Sequence, residues 1–173
     1  MIHWVDTSVL VQSHHKYHPR ARVPQFWSWL EREVRNGQIM MPHADWTELC
    51  KGNDWLKDWC KNREQSPLNS MPDERTQNIF RDIADRVKDH WKRVPHQWTK
   101  MLQGGDLWVI AHAKATNGIA VSEESRSGRN ETDSLKIPDV CNLPGVNVKW
   151  MDTFQMLDAL GADFSEPRKP ERD

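Results

Sequence analysis

Cysteine is scarce in this sequence: Cys50, Cys60 and Cys141 form an odd set with no C-x-x-C pair. That excludes a disulfide framework and a cysteine zinc site and leaves buried free thiols. Long apolar runs are missing as well; stretches such as Leu107 to Ala111 fall far short of the roughly 20 residues that cross a bilayer. The opening MIHWVDTSVL has no basic n-region and meets Asp6 early, so it does not read as a secretory signal. A cytoplasmic protein without membrane association is expected. Charge of one sign is also absent. Lys plus Arg is 24 against Asp plus Glu 25, a formal net charge of -1, so no overall basic field marks a polyanion partner and any nucleic-acid contact must use a local patch.

What the chain does have is 173 residues with 37% hydrophobic and 28% charged residues. Ten Trp and seven Met supply large apolar units to a polar sequence whose mean hydropathy is -0.84. The length fits one domain, placed at 1–164, followed by a charged tail at 165–173. Short β-favouring runs at 2–5, 39–41, 119–121 and 146–150 alternate with helical patterns. The helices are expected from Val9, from Pro24, from Pro42, from Trp55, from Asp73, over Leu107–Ala115 and over Asp152–Leu160. His14 to Arg22 reads as a loop, Ser66 to Pro72 as a polar connector, and Ser122 to Lys136 as a mobile surface loop. The alternation predicts an α/β domain of three layers, α/β/α, around a short, mainly parallel sheet.

In such sheets function gathers at the carboxyl ends of the strands. Asp6, Glu48, Asp106 and Glu124 each fall at or just past a strand end, or near the start of a helix entering the same edge. Carboxylates crowded together raise one another's pKa, and a hard divalent cation, Mg²⁺ or Mn²⁺, relieves them by taking oxygen ligands. A cation held this way activates water and offsets charge developing on a phosphate, which points to phosphodiester hydrolysis. Position alone leaves other uses open: Asp6 and Asp106 as helix N-caps, Glu48 as a solvated helix residue, Glu124 as a loop charge. Basic residues available to a nucleic-acid backbone are Lys16, Arg20 and Arg22 in the first loop and Arg126, Arg129 and Lys136 in the later one. His14 and His18 have the four-residue spacing of a zinc pair but lack a third ligand, so zinc is not expected there. The Trp residues read as core by their spacing rather than as a base-stacking platform.

The strand followed by Asp6-Thr7-Ser8, the helical Thr47-Glu48-Leu49, the block from Gly105-Asp106-Leu107 to Ala113, and Val121-Ser122-Glu123-Glu124 resemble, in order and spacing, PIN-domain ribonucleases. The Phe26-Trp27-Ser28-Trp29-Leu30 and Lys136-Ile137-Pro138-Asp139-Val140-Cys141 segments extend the resemblance to a PIN-like, VapC-like family of bacterial toxins of type II toxin-antitoxin systems. It implies that Asp6, Glu48 and Asp106 hold Mg²⁺ or Mn²⁺, with Glu124 or Asp139 as the fourth acid. It further implies that Thr7, Ser8 and Ser122 orient the carboxylates by hydrogen bonds.

The implied activity is a metal-dependent endoribonuclease, with tRNA among its candidate substrates. It would be silenced by a cognate antitoxin, which could carry a helix-turn-helix DNA-binding part. A homodimer is open to such a chain, the Phe26–Leu30 segment serving either as interface or as core. Two other readings stand beside this one: a PIN-like binding module without catalysis, and a structure-specific DNA nuclease.

Overall fold

The computed structural model describes residues 1–63, 65–93, 95–124 and 135–164. Five strands, β1 (His3–Val5), β2 (Ile39–Pro42), β3 (Asn69–Ser70), β4 (Ile119–Val121) and β5 (Lys149–Met151), form one parallel sheet in the order β3-β2-β1-β4-β5. The register sets His3 opposite both Ile39 and Ile119. Successive side chains on a strand face opposite ways, and that alternation divides the core in two. Val5, Ile39, Met41 and Val121 pack into one cluster, while Trp4, Met40 and Ala120 pack into the other.

Helices close both faces. α1 (Thr7–Gln12), α2 (Pro24–Arg35), α3 (His43–Cys50) and α4 (Trp55–Lys61) send Leu10, Trp29, Trp46 and Trp59 into the first cluster. α5 (Glu74–His90), α6 (Pro95–Gln103), α7 (Asp106–Thr116) and α8 (Ile137–Cys141) supply Ile83, Met101, Ile110 and Val140 to the second. α9 (Thr153–Ala159) returns to the first face through Met156 and Leu157. The result is the three-layer α/β/α architecture that the sequence pattern predicts, with every strand pair parallel. No helix among the described residues is long and apolar enough to cross a membrane.

Several local expectations are corrected. The first-loop segment is partly helical: α1 runs straight into a π-helical turn, Ser13–Tyr17. The connector at 66–72 contains β3, two polar residues whose sequence carries no strand pattern. They extend the sheet because the edge backbone of β2 needs partners, starting with the Met41 N–H on the Leu68 carbonyl at 2.7 Å. The last strand is shorter than 146–150 and ends one residue later, at Met151. α6 and α8 have no counterpart in the sequence reading. Phe26, Trp27, Trp29 and Leu30 are all buried core, which removes that segment as a dimer surface. Residues 125–134, most of the loop expected to be mobile, and the tail at 165–173 lie outside the described residues.

Candidate active site at the carboxyl edge of the sheet

The strand order reverses between β1 and β4, and the crevice above such a switch point is where open parallel sheets place their ligands. Asp6 follows β1 there and Ser122 follows β4. Asp6 is the N-cap of α1, accepting from the Val9 N–H at 3.1 Å, so its capping use is real. It is also gripped from both sides. Ser8 Oγ donates to Oδ1 and Ser122 Oγ donates to Oδ2, each at 2.6 Å. The two hydroxyls in turn accept from the Glu123 and Glu124 N–H groups, both at 3.0 Å. One carboxyl therefore ties the start of α1 to the chain leaving β4, and Thr7, Ser8 and Ser122 all take part in fixing acids.

The sequence reading missed Asp45. It sits in the first turn of α3, three residues before Glu48 and on the same side of the helix, and it is 1% exposed. Its Oδ1 accepts from the Thr7 N–H at 3.3 Å. The single Thr7 hydroxyl proton is shared between Asp45 Oδ1 at 3.5 Å and exposed Glu48 Oε2 at 3.3 Å, and the shorter contact favours Glu48. Asp45 Oδ2 is buried and has no hydrogen-bond partner. A Cβ on Gly105 would stand 2.5 Å from that oxygen, so any side chain just before Asp106 would push the Asp45 carboxylate from its place. The signal available in the sequence was an aspartate one turn ahead of Glu48, in the first turn of a helix that follows a strand.

Asp106 is the first residue of α7, and Gly105, not Asp106, occupies the N-cap. The helix N-terminus favours its negative charge. Burial nevertheless pushes its pKa up to about 6, helped by the nearby charges of Glu124 and Glu48, while Lys136 and Lys100 pull it down. Asp6 is pushed up to about 7, chiefly by burial against the lowering effect of Ser122, Ser8 and Val9, with the Asp106 charge adding a smaller rise. Asp45 is raised well above the carboxylate range by burial, then by Asp6 and Asp106. These residues thus sense one another's charge at one edge of the sheet.

Glu124 is half-buried, with Oε1 on Lys136 Nζ at 2.7 Å and Oε2 on the Ile137 N–H at 3.0 Å. Asp139 lies one turn further into α8, where its Oδ2 accepts from the Lys136 N–H at 3.0 Å and closes a capping box. Of the two candidates for the fourth acid, Glu124 acts directly on the charge of Asp106. Among the basic candidates, Lys136 faces the acids, and Lys100, which the sequence reading did not single out, joins it. Arg20 lies over the Trp55 ring at 4.9 Å and Lys16 over Tyr17 at 5.2 Å; Arg22 is exposed. Arg126 and Arg129 lie outside the described residues.

The donor set is entirely carboxylate oxygen, with one buried oxygen unpartnered and pKa values raised by crowding and burial. That fits a hard divalent cation, which takes a few carboxylates and keeps waters on its other positions. The acids stand somewhat apart. Among the described residues, the group of three whose ligand atoms all approach within 4.8 Å lies elsewhere, at His14, His15 and Asp54. A cavity of about 500 Å³ between α2 and α4, lined by Glu31, Trp59 and Arg63 among others, is also remote from the carboxylates.

With this geometry in place, known proteins give it context. The family profile described as a domain of unknown function, DUF4411, matches residues 3–164. The chain belongs to the DUF4411 family. No curated protein matches the sequence. Among solved structures, this DUF4411 chain is similar to VapBC-1 from nontypeable Haemophilus influenzae, with a TM-score of 0.55 and 14% identity over 88% of this chain and 98% of that one. It is similar also to VapBC2 from Rickettsia felis, solved bound to a DNA fragment from their promoter, with a TM-score of 0.51 and 17% identity over the same shares. At these identities the likeness is one of fold, and the fold is PIN-like.

Proposed function

We propose that the chain is a Mg²⁺- or Mn²⁺-dependent endoribonuclease acting as the toxin of a type II toxin-antitoxin pair. Residues 1–164 form its catalytic domain and 165–173 a charged tail. The observation that carries this reading is the convergence of Asp6, Asp45, Glu48, Asp106 and Glu124 on the switch-point edge, with a buried, unpartnered oxygen on Asp45. The likeness in fold to the VapBC structures supports the toxin role.

Asp6, Asp45 and Asp106 would hold the ion, with Glu48 and Glu124 completing the acidic shell and Asp139 as the alternative to Glu124. When bound, such a cation lowers the pKa of water and offsets the charge that builds on the phosphate. The chain's own residues do the positioning. Ser8 and Ser122 hold both oxygens of Asp6, Thr7 holds Asp45 and Glu48, and the Ile137 N–H holds Glu124. Exposed Glu48 orients the attacking water and receives its proton as the water oxygen bonds to phosphorus in line; the P–O bond on the opposite side breaks, and the ribose oxygen leaves and takes a proton from solvent. Lys136 and Lys100 draw the RNA backbone toward the edge, with Lys16, Arg20, Arg22, Arg126 and Arg129 as further phosphate contacts. A cognate antitoxin would silence the enzyme by covering the acidic edge.

Incubation of the purified chain with bulk tRNA and a labelled single-stranded RNA, in Mg²⁺, Mn²⁺ or EDTA, tests the reading. Cleavage should require metal and vanish in Asp6→Asn and Asp106→Asn while both variants stay folded. Metal-independent cleavage, or wild-type rates in either variant, would refute the assignment.

A further inference from the structure

The spacing of His14 and His18 suggests a zinc pair without a third ligand, but folding gives these histidines other neighbours. His18 stacks flat on Phe26, with ring centroids 4.3 Å apart and planes at 5°. In the π-helical turn, His15 instead places Nε2 at 2.8 Å from Asp54 Oδ2. Asp54 is the N-cap of α4, its Oδ1 accepting from the Leu56 N–H at 3.1 Å. His14 packs between Trp27 and Trp55, and its Nδ1 is shielded from solvent with no hydrogen-bond partner. Ligand atoms of His14, His15 and Asp54 all lie within 4.8 Å of one another.

We propose that His14, His15 and Asp54 form a binding site for a Zn²⁺-class transition-metal ion, separate from the carboxylate edge and independent of the nuclease reading. Two imidazoles and one carboxylate are the donors that borderline ions prefer and that Mg²⁺ does not. Bonds of about 2.0–2.1 Å in a tetrahedral arrangement set donor atoms roughly 3.3 Å apart. The His15–Asp54 pair therefore opens by about half an ångström and gives up the proton it shares, while His14 closes in. The Leu56 N–H steadies the ligating carboxylate from behind, as outer hydrogen bonds do at metal centres. The rings of Trp27 and Trp55 flank His14 on its apolar side and hold its imidazole in place. Water fills the remaining position. The bound ion ties the segment following α1 to the start of α4, so it braces the two chain segments that carry Asp6 and, one helix earlier, Asp45 and Glu48.

Titration of Zn²⁺ and Co²⁺ into the full chain tests this, followed by calorimetry, melting temperature and the visible Co²⁺ spectrum. One ion per chain should bind at this site in an Asp106→Asn background, with the d–d bands of a four-coordinate centre. The melting temperature should rise by about 5–10 °C at a hundredfold excess over Kd. His15→Gln alters an exposed side chain; it should keep the metal-free melting temperature and lower Zn²⁺ affinity at least tenfold. His14→Asn should lose the same Co²⁺ bands. Zn²⁺ binding that is unchanged by His15→Gln, or absent in the wild type, would overturn the proposal. So would binding that disappears with Asp106→Asn while His15→Gln retains it.

Discussion

Asp6 caps a helix, joins two strand ends and contributes to an acidic cluster with a single carboxyl, and its chemistry follows from that crowding. Burial holds its pKa at about 7 and that of Asp106 at about 6, against an ordinary value of 3.8. A carboxyl raised on folding keeps protons that the unfolded chain gives up. The stability it contributes is therefore present below about pH 4 and lost as pH rises through 6 to 7. For Asp6 alone the loss is on the order of 4 kcal/mol. Urea unfolding of the metal-free protein between pH 4 and 7 should show a steeper decline in the wild type than in Asp6→Asn, and Mn²⁺ should flatten the wild-type curve. Ser122→Ala removes a donor that lowers the Asp6 pKa. It should cost about 1–3 kcal/mol and move the acid limb of the activity profile to higher pH. An unmoved limb would detach Ser122 from the site. Cys60 and Cys141, whose thiols burial pushes up to about 12, are packing residues as the sequence suggested.

Elements explain why some of this was legible and some was not. The strands β1, β2 and β4 were readable because Trp-Val, Ile-Met-Met and Ile-Ala-Val are apolar runs bounded by turn residues. The starts of α5 and α9 were readable because Asp73 and Asp152 cap them. β3 was hidden because its backbone, not its side chains, makes the contact. α8 was hidden because five residues with a proline in the first turn carry too little periodicity to register. Asp45 was hidden for a different reason: only tertiary packing turns it inward beneath Thr7 and against Gly105. That glycine offers a test of the helix junction. Gly105→Ala forces a methyl against the Asp45 carboxylate, and should cost about 1–3 kcal/mol, a fall of several degrees in melting temperature. Cleavage should drop with it, since the added methyl displaces the Asp45 carboxylate from the acidic edge. An alanine variant of wild-type stability and rate would show that this junction is looser than described.

At the scale of the whole molecule, a short parallel sheet with helices on both faces concentrates acids from segments more than a hundred residues apart at one switch point. The same construction keeps most of the tryptophan volume in two cores and leaves the acids at the carboxyl edge. Expression of the wild-type chain should arrest bacterial growth, and Asp106→Asn should abolish the arrest. Co-expression of a neighbour-encoded antitoxin should restore growth and yield a co-purifying complex. Harmless expression of a folded, active nuclease would remove the toxin role and leave the enzyme.

The most direct test of the acidic site is the rate at which wild type and Asp45→Asn cleave one labelled single-stranded RNA with Mn²⁺ and with EDTA. Wild-type cleavage should depend on Mn²⁺, and the folded variant should lose it by at least a hundredfold. Equal Mn²⁺-dependent rates in the two proteins, or no cleavage by either, would contradict the central claim that these buried carboxylates form a metal-dependent nuclease centre.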